Sequence, residues 1–270
     1  MPQKLGQHFL KNKIKLKKIV DALELESGDV VIEIGPGHGE LTKEIKNQKS
    51  KIKIIAIEKD SSLVELLEKK FSEDKNIKVV EGDALKILPS LIENSKLKIE
   101  NYKVVGNIPY YITGFLFRLI GELENKPNII VFTIQKEVAE RITAEPPRMN
   151  LLAASVQFWA EPKIIGYISK KDFRPVPKVD SAIIRLMPTR IHADQNADQR
   201  GNYYKFIRTL FKQPRKTIVN NLQPITNNKQ LILEKLKKLK IDPQSRPQNL
   251  TVEQIMQLSG EFPPALDSKF

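Results

Sequence analysis

Four polar residues recur along the chain at nearly equal intervals. Glu33, Glu58, Asp83 and Asn107 lie 25, 25 and 24 residues apart, and all but Glu33 sit at the last residue of an apolar run. One strand-plus-helix unit has about that length. The spacing therefore sets the four in a row outside the carboxyl ends of adjacent strands, where open α/β sheets bind ligands. A carboxylate after the second strand is placed to accept from both ribose hydroxyls. One after the third strand can accept from an adenine amino group. Several carboxylates also suit a cation, which a sulfonium is. Taken singly, Glu58 or Asp83 is explained as well by capping of the following helix; the row as a whole is not.

The first run ends in Glu33-Ile-Gly35-Pro-Gly37-His-Gly39. Glycines here permit a tight turn from strand to helix and a close approach of backbone to ligand. The dinucleotide fingerprint is G-x-G-x-x-G, whereas this is G-x-G-x-G with proline in the first gap. A nucleoside without phosphates fits it better than a pyrophosphate does. The fourth run ends in Asn107-Ile-Pro109-Tyr110. Asn107 offers a carbonyl acceptor, and Pro109 fixes the backbone so that the Ile108 carbonyl can point the same way. Two acceptors aimed at one exocyclic amine hold its hydrogens out of the ring plane and free the nitrogen lone pair for an electrophile. Tyr110 supplies a flat face for a base. Phe173, in the proline-stiffened stretch Asp172 to Ser181, is a candidate for the opposite face; its alternative is a buried loop anchor.

The elements that must position these residues are legible as well. Apolar runs at 30–35, 52–58, 77–83, 102–107 and 129–134 alternate with amphipathic stretches, the pattern of a parallel sheet covered on both faces. Runs at 163–168 and 182–186 extend the sheet. Beyond Pro188 the composition changes. Residues 189–202 read as a polar linker, 203–222 and 229–240 as basic amphipathic helices, and 252–258 as a short helix. The expected fold is α/β, with domains at 1–188 and 189–270.

Composition narrows the chemistry. Among 270 residues there is no cysteine, which excludes disulfides, thiolate nucleophiles and cysteine-bound metals. His8, His38 and His192 have no metal-ligand spacing, so no metal is expected. No apolar run approaches the roughly 18 residues of a membrane span. The net charge of +13 is uneven: residues 1–20 hold six lysines and no acid, 188–270 hold 14 basic and 7 acidic residues, and the middle is neutral. A neutral body with basic ends fits a polyanion held by the ends and processed by the body. The N-terminal lysines flank no apolar core of a signal peptide, so a cytoplasmic location is expected. Nothing in the sequence requires association, and a monomer is the default.

These motifs together resemble the KsgA-type ribosomal RNA adenine N6,N6-dimethyltransferases over nearly the whole chain. The matching segments are Gln7-His-Phe-Leu10, the glycine motif at 33–39, Glu81-Gly-Asp-Ala84, and Asn107-Ile-Pro-Tyr110. Further matches are Gln135 to Arg141, Phe173 to Ser181, Arg215-Lys-Thr217 with Asn220-Asn-Leu222, and Arg246-Pro247. The resemblance implies a Rossmann-like methyltransferase sheet of seven strands, the last antiparallel, with a small all-helical C-terminal domain. It implies S-adenosyl-L-methionine as donor, with His8, Leu10, Gly35, Gly37, Glu58, Asp83, Ala84 and Asn107 around it. Asn107 would lie between donor and target amine, and Tyr110 and Phe173 would stack the flipped adenine. The implied substrate is two adjacent adenosines in the 3′-terminal hairpin of small-subunit ribosomal RNA, free or in a pre-assembled subunit. Rival readings are a resistance methyltransferase acting on large-subunit RNA and a non-catalytic assembly factor. Three features depart from the family pattern: Tyr111 replaces asparagine, segment 150–155 (Asn-Leu-Leu-Ala-Ala-Ser) lacks the expected glycine-plus-serine pattern, and only six residues precede Gln7.

Overall fold

The computed structural model describes residues 7–48, 51–93, 101–189 and 197–262. The first six residues and His192 therefore lie outside it, as does half of the expected linker, residues 190–196.

The chain begins with a two-residue strand, β1 (Phe9–Leu10), and helix α1 (Lys13–Asp21), whose first turn is capped by the Asn12 side chain. Alternation follows: β2 (Val30–Ile34), α2 (Glu40–Lys46), β3 (Lys53–Glu58), α3 (Ser61–Lys70), β4 (Ile77–Glu81), α4 (Ala84–Glu93), β5 (Tyr102–Asn107), α5 (Thr113–Glu122) and β6 (Ile129–Gln135). Helices α6 (Lys136–Ile142) and α7 (Leu151–Gln157) precede β7 (Ala160–Ile168), β8 (Phe173–Arg174) and β9 (Ser181–Pro188). The main sheet runs β4-β3-β2-β5-β6-β9-β7. Strands β2 to β6 pair in parallel, and β9 runs antiparallel to β6, with Val131 opposite Arg185. Val31, Ile32, Ile34, Val104, Val105 and Ile130 through Phe132 are all buried, as required of strands covered on both faces. The order reverses at β2, which has β3 on one side and β5 on the other. That switch point opens a crevice at the carboxyl ends of the strands.

The chain forms two compact units. One comprises residues up to 139 with 161–188; the other comprises 140–160 with those from 189 onward. The second unit contains α7 together with α8 (Ala197–Leu210), α9 (Ile218–Thr226), α10 (Lys229–Lys238) and α11 (Val252–Glu261). Within it Tyr203 stacks on Phe158 at 3.9 Å, and its hydroxyl donates to the Ala154 carbonyl. Helix α8 starts inside the expected linker. The helix expected across 203–222 is broken, because Pro214 lacks the N–H needed to continue it. Buried Asn221 stabilises the break. Its amide nitrogen donates to the carbonyls of Gln213, Lys216 and Thr217, and its oxygen accepts from Gln213 N–H. The turn so held presents Lys212, Arg215 and Lys216 to solvent.

Candidate active site

A cavity of about 870 Å³, its open mouth included, lies over the carboxyl ends of β2 to β5. Its floor includes Ile34, Gly35 and Gly37; Glu58, Asp83 and Ala84 line it beyond β3 and β4; and Asn107 to Ile112 line it beyond β5. The N-terminal segment contributes Gln7, His8 and Phe9. That segment is pinned by pairing of β1 with β8, in which Leu10 faces Phe173 and Phe9 faces Arg174. His8 adds a second tie: its Nδ1–H donates to the Pro175 carbonyl at 2.8 Å, which fixes the ring's tautomer at that nitrogen.

The glycine turn is shaped by two different constraints. Gly37 has φ +60°, and a Cβ there would sit 2.7 Å from the Phe9 ring, so the N-terminal segment lies directly on the turn. Gly35 has φ +66°, and a Cβ there would meet nothing nearer than the Asn107 carbonyl at 4.0 Å. A side chain at Gly35 would fill open cavity, as expected where backbone must approach a ligand. Glu58 accepts from the N–H groups of Gly37, Lys59 and Asp60, at 3.1, 2.8 and 3.1 Å. These occupy three of a carboxylate's roughly four lone-pair directions, leaving about one for a ribose hydroxyl rather than two. Asp83 caps α4 by accepting from Leu85 N–H and pairs with the Lys59 ammonium at 2.9 Å. The Lys59 hydrogen bond holds the Asp83 carboxyl below its usual range. It remains ionised at neutral pH, ready to accept from an amino group.

Asn107 closes the floor. Its amide nitrogen donates to the His8 carbonyl at 2.6 Å. Only the nitrogen can donate to a carbonyl, so this contact fixes the amide orientation and leaves Oδ1 as an acceptor. The Ile108 N–H is spent on the Thr133 carbonyl, and among the described residues no donor reaches the Ile108 oxygen. Pro109, at φ −56° and ψ 130°, carries the chain into a 3₁₀ turn over Tyr110–Ile112. Tyr110 is half-buried; its hydroxyl is within hydrogen-bonding distance of Ser181 Oγ at 3.0 Å, and its ring lies 6.2 Å from that of His8. Burial raises its phenol pKa, so the ring stays neutral.

The structure thus brings His8, Gly35, Gly37, Glu58, Asp83, Ala84, Asn107, Tyr110 and Phe173 to one cavity, and Leu10 is the exception. Leu10 is buried in the core with Leu16, Ile19 and Phe173 and contributes nothing to the wall. Phe173 is not displayed by its loop as the prolines suggested. It is 2% exposed, because β1 lies against β8, and it lines the cavity with little of its surface. Glu33 does not join the row. It is enclosed within β2 and accepts from the Thr42 hydroxyl. Phe9, Lys59 and Ser181 went unassigned in the sequence; their contacts are long-range and leave no local spacing. Among the described residues no helix is long and apolar enough to span a membrane, and no cluster of His, Asp and Glu could hold a metal.

The family model for ribosomal RNA adenine dimethylase matches residues 2–263. A ribosomal RNA small subunit methyltransferase A of Mycoplasma capricolum is 39% identical over 94% of each chain. Its counterpart in Coxiella burnetii is 36% identical over 96% of this chain and 97% of its own. Among solved structures, a dimethyladenosine transferase from Plasmodium falciparum superposes with a TM-score of 0.78 at 25% identity, covering 93% of this chain and 95% of its own. The 23S rRNA methyltransferase ErmE gives 0.74 at 25% identity, covering 94% and 99%. With the cavity at the switch point, the acceptor pair at Asn107 and this match along nearly its whole length, the chain belongs to the ribosomal RNA adenine dimethylase family.

Proposed function

We propose that this protein transfers methyl groups from S-adenosyl-L-methionine to the N6 amine of adenosines in small-subunit ribosomal RNA, twice per nucleotide. The observation that carries the reading is the Asn107 amide, turned by the His8 carbonyl so that Oδ1 is left as an acceptor, with the carbonyl of the next residue, Ile108, unclaimed. The donor fits the cavity: Gly35 leaves backbone open where a Cβ would intrude, Glu58 retains one acceptor site, and Asp83 stays ionised. When bound, the donor supplies an electrophilic methyl on a sulfonium.

The chain's own residues then act on the amine. Asn107 Oδ1 and the Ile108 oxygen accept its two hydrogens and turn the nitrogen lone pair out of conjugation with the ring. Nucleophilicity thus comes from geometry, and no strong base is required, because the methylated nitrogen is briefly cationic and loses its proton readily. After the first transfer one N–H remains, and one acceptor suffices to orient it. Tyr110 and the small exposed part of Phe173 hold the adenine ring, and the N-terminal segment excludes water from above the glycine turn. The sheet unit carries out methyl transfer, and the helical unit, residues 140–160 with those from 189 onward rather than 189–270 alone, binds the RNA. Lys212, Arg215 and Lys216 neutralise phosphates there.

The finer assignment is two adjacent adenosines of the 3′-terminal hairpin, in the free RNA or in a pre-assembled small subunit, methylated by a monomer in the cytoplasm. The 36–39% identical relatives named for the small subunit favour this reading over a large-subunit target, whose support is a 25% identical structure. Asn107→Ala tests the acceptor pair. Donor affinity should change little, while single-turnover transfer should fall about 10²–10³-fold, as for loss of one preorganised transition-state hydrogen bond. Unchanged transfer would remove the mechanism.

A further inference from the structure

Helix α5 and the 3₁₀ turn before it have one face that the mechanism does not use. Thr113, Leu116, Phe117 and Ile120 point into the core. Tyr111, Gly114, Phe115 and Arg118 are exposed, and offsets of three, four and seven residues put them on one side of the helix. Tyr111 is 57% exposed and Phe115 68%. Single exposed aromatics are ordinary. Two of them one turn apart, beginning at the wall of a catalytic cavity, are not.

Gly114 lies between them. A Cβ there would meet nothing within 4 Å, and its φ is not in the left-handed region. Neither packing nor backbone conformation calls for glycine, which is less favourable than alanine inside a helix. Its effect is to leave the backbone uncovered between the two rings. At the far end, Arg118 is held by Glu122 at 2.9 Å, so its charge is compensated and the stripe is aromatic in character rather than electrostatic. At the near end, Tyr111 follows Tyr110 directly and lines the same cavity.

A nucleobase is the occupant that this chemistry favours. Flipping an adenosine into the cavity leaves its neighbour without a stacking partner, and that neighbour is covalently tethered next to Tyr110. Aromatic faces recover the lost stacking without reading sequence. We propose that Tyr111 and Phe115 form a stacking platform at the lip of the cavity for the nucleobase adjoining the target adenosine. The platform rests on the RNA-adenine reading above and deepens it.

The test uses the full chain with small ribosomal subunits lacking the methylation, and an RNA hairpin carrying 2-aminopurine beside the target adenosine. Tyr111→Ala with Phe115→Ala should raise KM roughly 5- to 100-fold, the range for loss of base stacking, with a smaller change in kcat. The salt dependence of binding should keep its slope, because no phosphate contact is lost. Wild type should quench the 2-aminopurine and the double variant should not. Tyr111→Trp with Phe115→Trp should restore both readouts, a rescue that a merely structural role would not give. Both positions are exposed, so these variants should fold. An active wild type whose double variant keeps its KM and its quenching would overturn the platform and leave the proposed function standing. A wild type that methylates no adenosine in the subunits would overturn the proposed function itself, and the platform with it.

Discussion

Glu33 offers the most quantitative test of how the donor side of the cavity is built. It is 1% exposed within β2, and its carboxylate accepts from Thr42 of α2 at 2.7 Å, directly behind the glycine turn. Burial pushes its pKa up from 4.5 to about 7; the charges of Glu58 and Glu40 act in the same direction, and the Thr42 hydrogen bond opposes them. In the unfolded chain the same group ionises near 4.5. Between these values the folded state keeps a proton that the unfolded state has lost. The stability this group contributes is therefore complete below about pH 4.5 and is lost as pH rises through 7. A gap of about 2.5 pH units at 1.36 kcal/mol per unit makes the total about 3 kcal/mol. Glu33→Gln retains an acceptor for Thr42 and cannot ionise. Urea unfolding of both proteins from pH 4.5 to 8.5 should show the variant gaining on wild type by about 3 kcal/mol across that range. Any constant offset from the amide's extra donors drops out of the comparison. A stability difference that does not vary with pH would refute the reasoning.

Tyr110→Phe loses only the Ser181 contact and should cost about 1 kcal/mol of stability with transfer largely kept, whereas Tyr110→Ala should raise KM ~10-fold or more through lost stacking. Equal losses in steady-state assays would point to a role for the hydroxyl. Gly37→Ala places a Cβ against Phe9 and a non-glycine residue at positive φ; donor affinity by calorimetry should drop about tenfold. Adding Phe9→Ala should recover part of that loss, because the clash is relieved, and strict additivity would show that the two do not touch. Alanine at Lys212, Arg215 and Lys216 should weaken RNA binding and flatten its salt dependence, each lost phosphate contact reducing the slope by about 0.7–0.9. Binding curves with an unchanged slope would place the RNA elsewhere.

The strands and the row at their ends were legible because both depend on local pattern. Buried parallel strands are apolar throughout, and one strand-plus-helix unit has a nearly constant length. Register explains why Glu33 fails to join its neighbours. It pairs with Ala56 and Val105, so Glu58 and Asn107 each lie two residues nearer the carboxyl edge of the sheet. Numerical spacing alone does not reveal a two-residue stagger. What remained hidden depends on distant contacts. Phe9 packs over Gly37, His8 turns Asn107, and β1 covers Phe173; each joins residues far apart in sequence. The break at Pro214 was visible as a residue type, but the basic periodicity of 203–222 ran across it. Asn221 stood out in the sequence only as part of the Asn220-Asn-Leu222 match; that it holds the turn is visible only in its four hydrogen bonds.

The central claim is that the cavity presents an adenosine amine of small-subunit ribosomal RNA to a methyl donor. Its most direct test incubates the protein with labelled S-adenosyl-L-methionine, small subunits lacking the methylation and large-subunit RNA, and then maps the labelled nucleoside. The account predicts N6,N6-dimethyladenosine at adjacent positions of the small-subunit 3′-terminal hairpin and none in the large-subunit RNA. Label confined to large-subunit RNA, or donor binding without transfer to either, would contradict it.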